Sequence, residues 1–414
     1  VTDGPGDDAG AAGTGAAAAD DEDEAGPPLR VSTLELFFDL VFVFTITQLT
    51  GVLSRNLTAA GAARVLLIFG VLWWMYGGYA WLTNARTPRQ LPERLLLLLG
   101  MAGFLIIGLA LPHAFSRRGE AVALGLGYLV VVVVHGALYL RLNRNIWRVF
   151  PVNLASALLV IAAGIAGVSG GTETAAGYTL WVVALAVQAL SPLVVRPQGR
   201  FSIQPGHFVE RHGALIIVAF GESVADIGIG AAGHPVTVGL VTTSVLGLAL
   251  AAALWWAYFG VADDERAEAA MTRADPAVRP ALALQAYFYA YIPMLLGIVA
   301  LAAGVKRVIG HAGSTVPYPA CLALGGGVAL YLAGDAVFRG ALRMGTQRYR
   351  AGAAVAAVAA SAVGVTLSVS AEIALLAAIV AAMLAADRPL QGPQGGTGGR
   401  ASPVGGGPGG PSPR

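Results

Sequence analysis

The chain has 414 residues, of which 12% are charged and 56% hydrophobic, and its formal net charge is +2. A soluble protein carries about twice that share of charge, so a water-soluble globular domain is excluded. The small charge excess gives no electrostatic footprint for nucleic acid.

Residues 1–30 are acidic and rich in Gly and Ala, with DDEDE at Asp20 to Glu24. That composition predicts a disordered tail, without the basic start and short apolar core of a secretory signal. From residue 31 onward, apolar runs of about 20 residues recur, each long enough to span a bilayer. Twelve can be counted, centred near residues 44, 74, 103, 131, 159, 185, 219, 249, 292, 328, 360 and 379. The expectation is an all-α, polytopic transmembrane helical bundle. The last two runs are short and share the connection Ser368-Val369-Ser370, which leaves ten or eleven spans as alternatives.

The first span, STLELFFDLVFVFTITQLTG, opens with Glu35 and Asp39, four residues apart and so on one helical face. Glu35 alone also fits a plain preference for the positive end of a helix dipole. The second span carries LWWMYGGYA (Leu72 to Ala80), which returns as LWWAYFGVA (Leu254 to Ala262) in the eighth. Four of the seven tryptophans lie in these two stretches, so chance is a poor explanation. Packing or interface anchoring accounts for them most simply. Spans one and seven align more weakly, setting Glu35 against Glu210, and spans four and ten set His135 against Asp335. These matches predict two six-helix repeats, 31–195 and 207–388, joined by a turn-rich linker at 196–206. Six is even, so the repeats are parallel, related by an axis along the membrane normal.

Span seven concentrates polar residues: His207, Glu210, Arg211 and His212 at its start, then Glu222, Ser223 and Asp226. An acid at the centre of a membrane helix costs about 2.5 kcal/mol or more, so such groups face a protein interior and carry function. Glu222 lies about 18 Å along the helix from Glu210 and is the most expensive acid on this reading. The histidines read first as interfacial polar residues rather than metal ligands. Asp263 to Arg266, DDER, reads as a solvated acidic turn in preference to a magnesium cluster. Cys321 reads as a small lipid- or helix-facing residue, and as the single cysteine it forms no internal disulfide. Residues 389–414, rich in Gly, Pro and Ser, predict a second disordered tail.

Orientation follows from the basic residues. With twelve spans and the amino terminus inside, only Arg55, Arg64, Arg117, Arg118, Lys306 and Arg307 fall in outer loops. The rest of the 26 Lys and Arg fall inside, which predicts both termini in the cytoplasm and a multi-pass protein of the inner cell membrane.

Three stretches resemble a known family. LELFFDLVFVFTITQLT and HFVERHGALIIVAFGESV (His207 to Val224) resemble the two signatures of the bacterial low temperature requirement A family. LWWMYGGYAWLTN is similar to its second span, and the resemblance covers nearly all of residues 30 to 388. It implies a multi-spanning cytoplasmic-membrane protein and marks Glu35, Asp39, His207, Glu210, Arg211, Gly221, Glu222 and Ser223 as motif positions. It names no substrate.

The residues leave three functional readings. The first is a secondary transporter or proton-coupled permease, with Glu35, Asp39, His207, Glu210, Arg211, Glu222, Ser223, Asp226, His135 and Asp335 along a path for a small solute or ion. The second is an ion channel with an acidic inner mouth. The third is an intramembrane enzyme acting on a lipid or prenyl substrate. Transport is preferred. No phosphate-cradling loop, zinc motif or nucleophile elbow stands out, so neither a cofactor nor a metal is expected. The lipid bilayer is the one partner implied, and oligomeric state is left open.

Overall fold

The computed structural model describes residues 30–86, 88–140, 146–169, 172–194, 203–260 and 262–387. Both terminal stretches expected to be disordered, apart from Arg30, and most of the linker between the halves lie outside these residues. The regular structure of the described residues is helical apart from one short antiparallel ladder, Val168–Ser169 with Thr172–Glu173.

The helices are α1 (Thr33–Arg55), α2 (Ala59–Ala85), α3 (Leu91–Ala110), α4 (Arg118–Leu140), α5 (Ile146–Ala166), α6 (Ala175–Val194), α7 (Pro205–Ala231), α8 (Val238–Tyr258), α9 (Asp263–Arg273), α10 (Arg279–Ala283), α11 (Tyr291–Val308), α12 (Tyr318–Ala341), α13 (Arg348–Thr366) and α14 (Val369–Ala386). Their starts are written locally. Ser32, Thr58, Thr237 and Ser368 cap α1, α2, α8 and α14 by accepting a backbone N–H, and a proline stands in the first turn of α3, α7 and α12.

Eleven helical stretches among the described residues are long and apolar enough to cross a membrane, and α6 adds a shorter apolar stretch at Ala175–Ser191. Both α13 and α14 are among the eleven, despite the tight turn between them. The span at Arg279–His311 is interrupted: α10 passes through a π-helical segment, Leu284–Tyr289, before continuing as α11.

Within the first half, α3 packs on α4, α4 on α5 and α5 on α6; within the second, α11 packs on α12, α12 on α13 and α13 on α14. α1 lies on α3, and α7 on α11. The halves meet where α1 packs against α7 and α11. Burial inverts the usual soluble pattern. Leu98, Leu105, Leu126 and Val245 are exposed on the outside, while Glu35, Asp39, Asp226, Asp335 and Glu372 are wholly buried. Apolar surface gains little by leaving lipid, so interior places go to small, aromatic and polar residues that pack and hydrogen-bond.

One sequence expectation is corrected in part. DDER begins α9 with Asp264, Glu265 and Arg266 exposed, but Asp263 is buried, its carboxylate 2.5 Å from Arg339 and 3.1 Å from Arg266. Arg339 from α12 and Arg266 from the motif's own turn take the place of water at that carboxylate. The two Trp pairs stand in different surroundings. Trp73 is buried in an aromatic stack with Phe69, Tyr76 and Tyr291, and its indole N–H donates to the Phe288 carbonyl at 3.1 Å. That carbonyl belongs to the π segment, where the regular helical ladder is broken. Trp255 and Trp256 instead stand on the surface, 37% and 53% exposed.

Candidate functional site

The site forms at the end of the bundle where α1 and α7 begin and α2 finishes, here called the proximal end. Ser32 and Glu35 make a reciprocal capping box: Ser32 N–H and Oγ–H donate to Glu35 Oε2 at 2.9 and 2.8 Å, and Glu35 N–H donates to Ser32 Oγ at 3.3 Å. The cap fixes the Glu35 carboxylate against the helix start and leaves Oε1 turned into the bundle. Asp39 follows one turn later, on the same face.

From α7, His207 and Arg211 reach the same place, also one turn apart. Arg211 Nη2 lies 3.0 Å from Asp39 Oδ1 and Nη1 3.3 Å from Glu35 Oε1. Nη1 also donates to the Thr83 hydroxyl of α2. The guanidinium stands over the rings of Phe38 and Tyr76, at 5.8 and 5.7 Å. Tyr76 donates its hydroxyl proton to Asp39 Oδ1 at 3.0 Å. Glu35, Asp39, His207 and Arg211 are each no more than 2% exposed.

The protonation of His207 follows from its neighbours. Asn84 Oδ1 accepts the Gln204 N–H at 3.0 Å, and Asn84 Nδ2 donates to the Gln204 carbonyl at 3.0 Å. This assigns the amide end of Asn84, whose Nδ2 then faces His207 Nδ1 at 3.2 Å as a donor. His207 Nδ1 is therefore an acceptor, and the ring proton sits on Nε2. That N–H points at Glu35, 3.2 Å from Oε1 and 3.3 Å from Oε2. A neutral imidazole leaves two carboxylates facing one guanidinium. Asp39 Oδ2 and Arg211 Nε are buried without a partner among the described residues. The cluster thus holds one acid more than its fixed cation balances, in a dry place where uncompensated charge is expensive.

The other sequence-selected residues lie apart from this cluster. Glu210 is exposed and accepts the Val31 N–H at 3.3 Å. It is turned about 100° from Arg211 around α7 and so misses the face that carries His207 and Arg211. His212 is buried, its Nδ1 donating to the Phe208 carbonyl at 2.8 Å, among the rings of Phe208, Tyr287 and Tyr291. Glu222 is half-buried and has no hydrogen bond or ion pair among the described residues. Ser223 is buried and donates to the Ala219 carbonyl at 3.3 Å. Asp226 is buried near the opposite, distal end and pairs with Lys306 of α11 at 3.0 Å. His135 stands against the Gly78 backbone of α2 between Tyr79 and Tyr139, with Nε2 unpartnered among the described residues.

Asp335 belongs to a second charged network inside the second half. Its Oδ2 accepts from Arg350 Nε, and its Oδ1 lies 3.5 Å from Arg339 Nε. Arg339 continues to Asp263 and donates to the Ala257 carbonyl at 2.9 Å, while Arg350 continues to Asp387. Sequence reading placed Arg339 and Arg350 among the inside arginines and passed over Tyr76, Thr83 and Asn84. The spacing of Asp335 and Arg339, four apart in a span, was a usable signal for this network.

Among the described residues, no three or more His, Cys, Asp or Glu side chains gather as a metal-holding group. The model of the bacterial low temperature requirement A protein family matches residues 30–385. The chain belongs to that family. The inter-half cluster and all of the second network except Asp387 lie inside the matched region. This family member is also 29% identical over 314 residues to the uncharacterized protein RA0937 of Rhizobium meliloti (strain 1021), a match covering 74% of this chain and 76% of that protein.

Proposed function

We propose that this family member is a secondary transporter or proton-coupled permease, with the Glu35–Asp39–His207–Arg211 cluster as its proton- or cation-responsive site. One observation carries the reading: a fully buried group of two carboxylates and a single guanidinium, built by α1 and α2 from one half and α7 from the other. A dry site with one acid in excess gains by taking up a proton or a cation, and changes its internal balance when it releases it. Because the group bridges the halves, its state bears on how tightly they hold together. Asp39, with one oxygen already unpartnered, is the place for the added proton.

The two halves are read as parallel repeats. The shared neighbour order, with α3 to α6 matched by α11 to α14, supports that reading alongside the LWW motifs. In this scheme the proximal end is cytoplasmic, from the arginine distribution, and so are both termini. Glu222, half-buried and unpartnered, takes a secondary place farther along α7, with Ser223 and Asp226 beyond it.

The test is flux in proteoliposomes against a panel of ions and small solutes, with and without a pH gradient. Flux that depends on the gradient and is lost in Asp39→Asn supports the reading. Ion flux that follows only the electrical gradient and is indifferent to pH favours a channel and counts against it.

A further inference from the structure

Glu372 stands outside everything described above. It lies one turn into α14, about 6 Å from the Ser368 cap at the distal end. Its residue is 0% exposed, and neither carboxyl oxygen has a hydrogen-bond partner among the described residues. The helices packed on α14 are α8, α12 and α13. From α12 comes the Cys321 thiol; α8 and α13 bring no charged side chain to it among the described residues. The thiol and the carboxyl converge on Gly364 of α13, where a first side-chain carbon would collide with both. Every other wholly buried acid in the described bundle has an arginine, lysine or histidine beside it: Glu35, Asp39, Asp226 and Asp335.

A carboxylate without a cation, sealed from water inside a helical bundle, is the arrangement that burial penalises most. The protonated acid removes that penalty, and it can also donate a hydrogen bond to the sulfur, whose own proton is directed to the Val316 carbonyl at 3.9 Å. We infer that Glu372 is a proton-binding site in its own right: a neutral carboxylic acid paired with the Cys321 thiol, exchanging its proton with the medium at the distal end. The turn beside it gives the shortest way to water. It is tied down by Val369 N–H to the Ser314 carbonyl at 3.1 Å and by the Thr243 and Ser370 hydroxyls at 2.7 Å. A role for this proton in a coupled cycle rests on the transport reading, but the protonation itself does not.

The experiment uses the full chain in lipid nanodiscs. Infrared spectra at neutral pH should contain the carbonyl stretch of a protonated carboxylic acid, weaker in Glu372→Gln and shifted in frequency but retained in Cys321→Ala. Wild-type protein treated with dicyclohexylcarbodiimide, which modifies protonated carboxyls in apolar surroundings, should carry the adduct on the Glu372 peptide by mass spectrometry, and less of it at alkaline pH. The labelling arm needs no variant, so a misfolded Glu372→Gln does not block the test. An acid band identical in wild type and a folded Glu372→Gln, or wild-type protein with no adduct on that peptide, overturns the inference. Neither readout involves flux, so a failed transport assay leaves this result standing.

Discussion

The molecule holds two buried charge networks at its proximal end, and they are built to different accounts. In the second half, Asp263, Asp335 and Asp387 face Arg339, Arg350 and Arg266, three acids against three arginines. All of these come from α9, α12, α13 and the end of α14, so the network ties one half to itself. Between the halves, Glu35 and Asp39 face Arg211 alone, with His207 neutral by its hydrogen bonds. The balanced network is a latch. The unbalanced one has somewhere to put a proton, and it lies where the halves meet. Charge count and position separate a fastening from a candidate working site, and burial adds to the contrast: the inter-half cluster is closed off, while the other network reaches the surface at Arg266 and Asp387.

The comparison can be broken most forcefully at the arginines. Arg211→Met should strand two buried carboxylates and destabilise the bundle by about 3–5 kcal/mol, read as a lower midpoint of unfolding in lipid nanodiscs or detergent. Arg350→Met should have a similar cost, since it leaves Asp335 and Asp387 short of a partner. A neutral result at either position would mean the network is not buried as described. Asp39→Asn separates the two roles. It removes the excess acid and keeps an acceptor for Tyr76, so unfolding should move by under about 1 kcal/mol while pH-dependent flux disappears. The matching change in the latch, Asp335→Asn, should instead lower stability and leave the pH dependence of any remaining flux unchanged.

Smaller effects sharpen the outline. Trp73→Phe keeps the stacked ring but leaves the Phe288 carbonyl of the π segment without its indole donor, and should cost about 1–3 kcal/mol. Glu210→Gln should change stability by no more than about 0.5 kcal/mol, because the side chain is exposed. A large effect at Glu210 would return it to the site from which its position on α7 removes it.

Much of this was legible in the sequence. Apolar runs gave the spans, and the four-residue spacing of Glu35 and Asp39 put both on one face. What a single sequence does not carry is rotation between helices. Glu210 and Arg211 are neighbours in the chain, yet only one enters the cluster, and the choice depends on how α7 is turned against α1 and α2. Depth along a helix was a poor guide for the same reason. Glu222 had the deeper position on paper but stands half-buried, while Glu372, one turn from a helix end, is wholly enclosed because α12 and α13 close over it. The partners Thr83 and Asn84 were hidden in a stretch that reads as an ordinary span end.

The measurement that bears most directly on the unbalanced cluster is internal pH, followed with a trapped dye in proteoliposomes while a panel of ions and small solutes is added outside. Wild-type protein should change the internal pH with at least one member of the panel, and Asp39→Asn of equal abundance and thermal stability should not. An Asp39→Asn response equal to wild type would contradict the account.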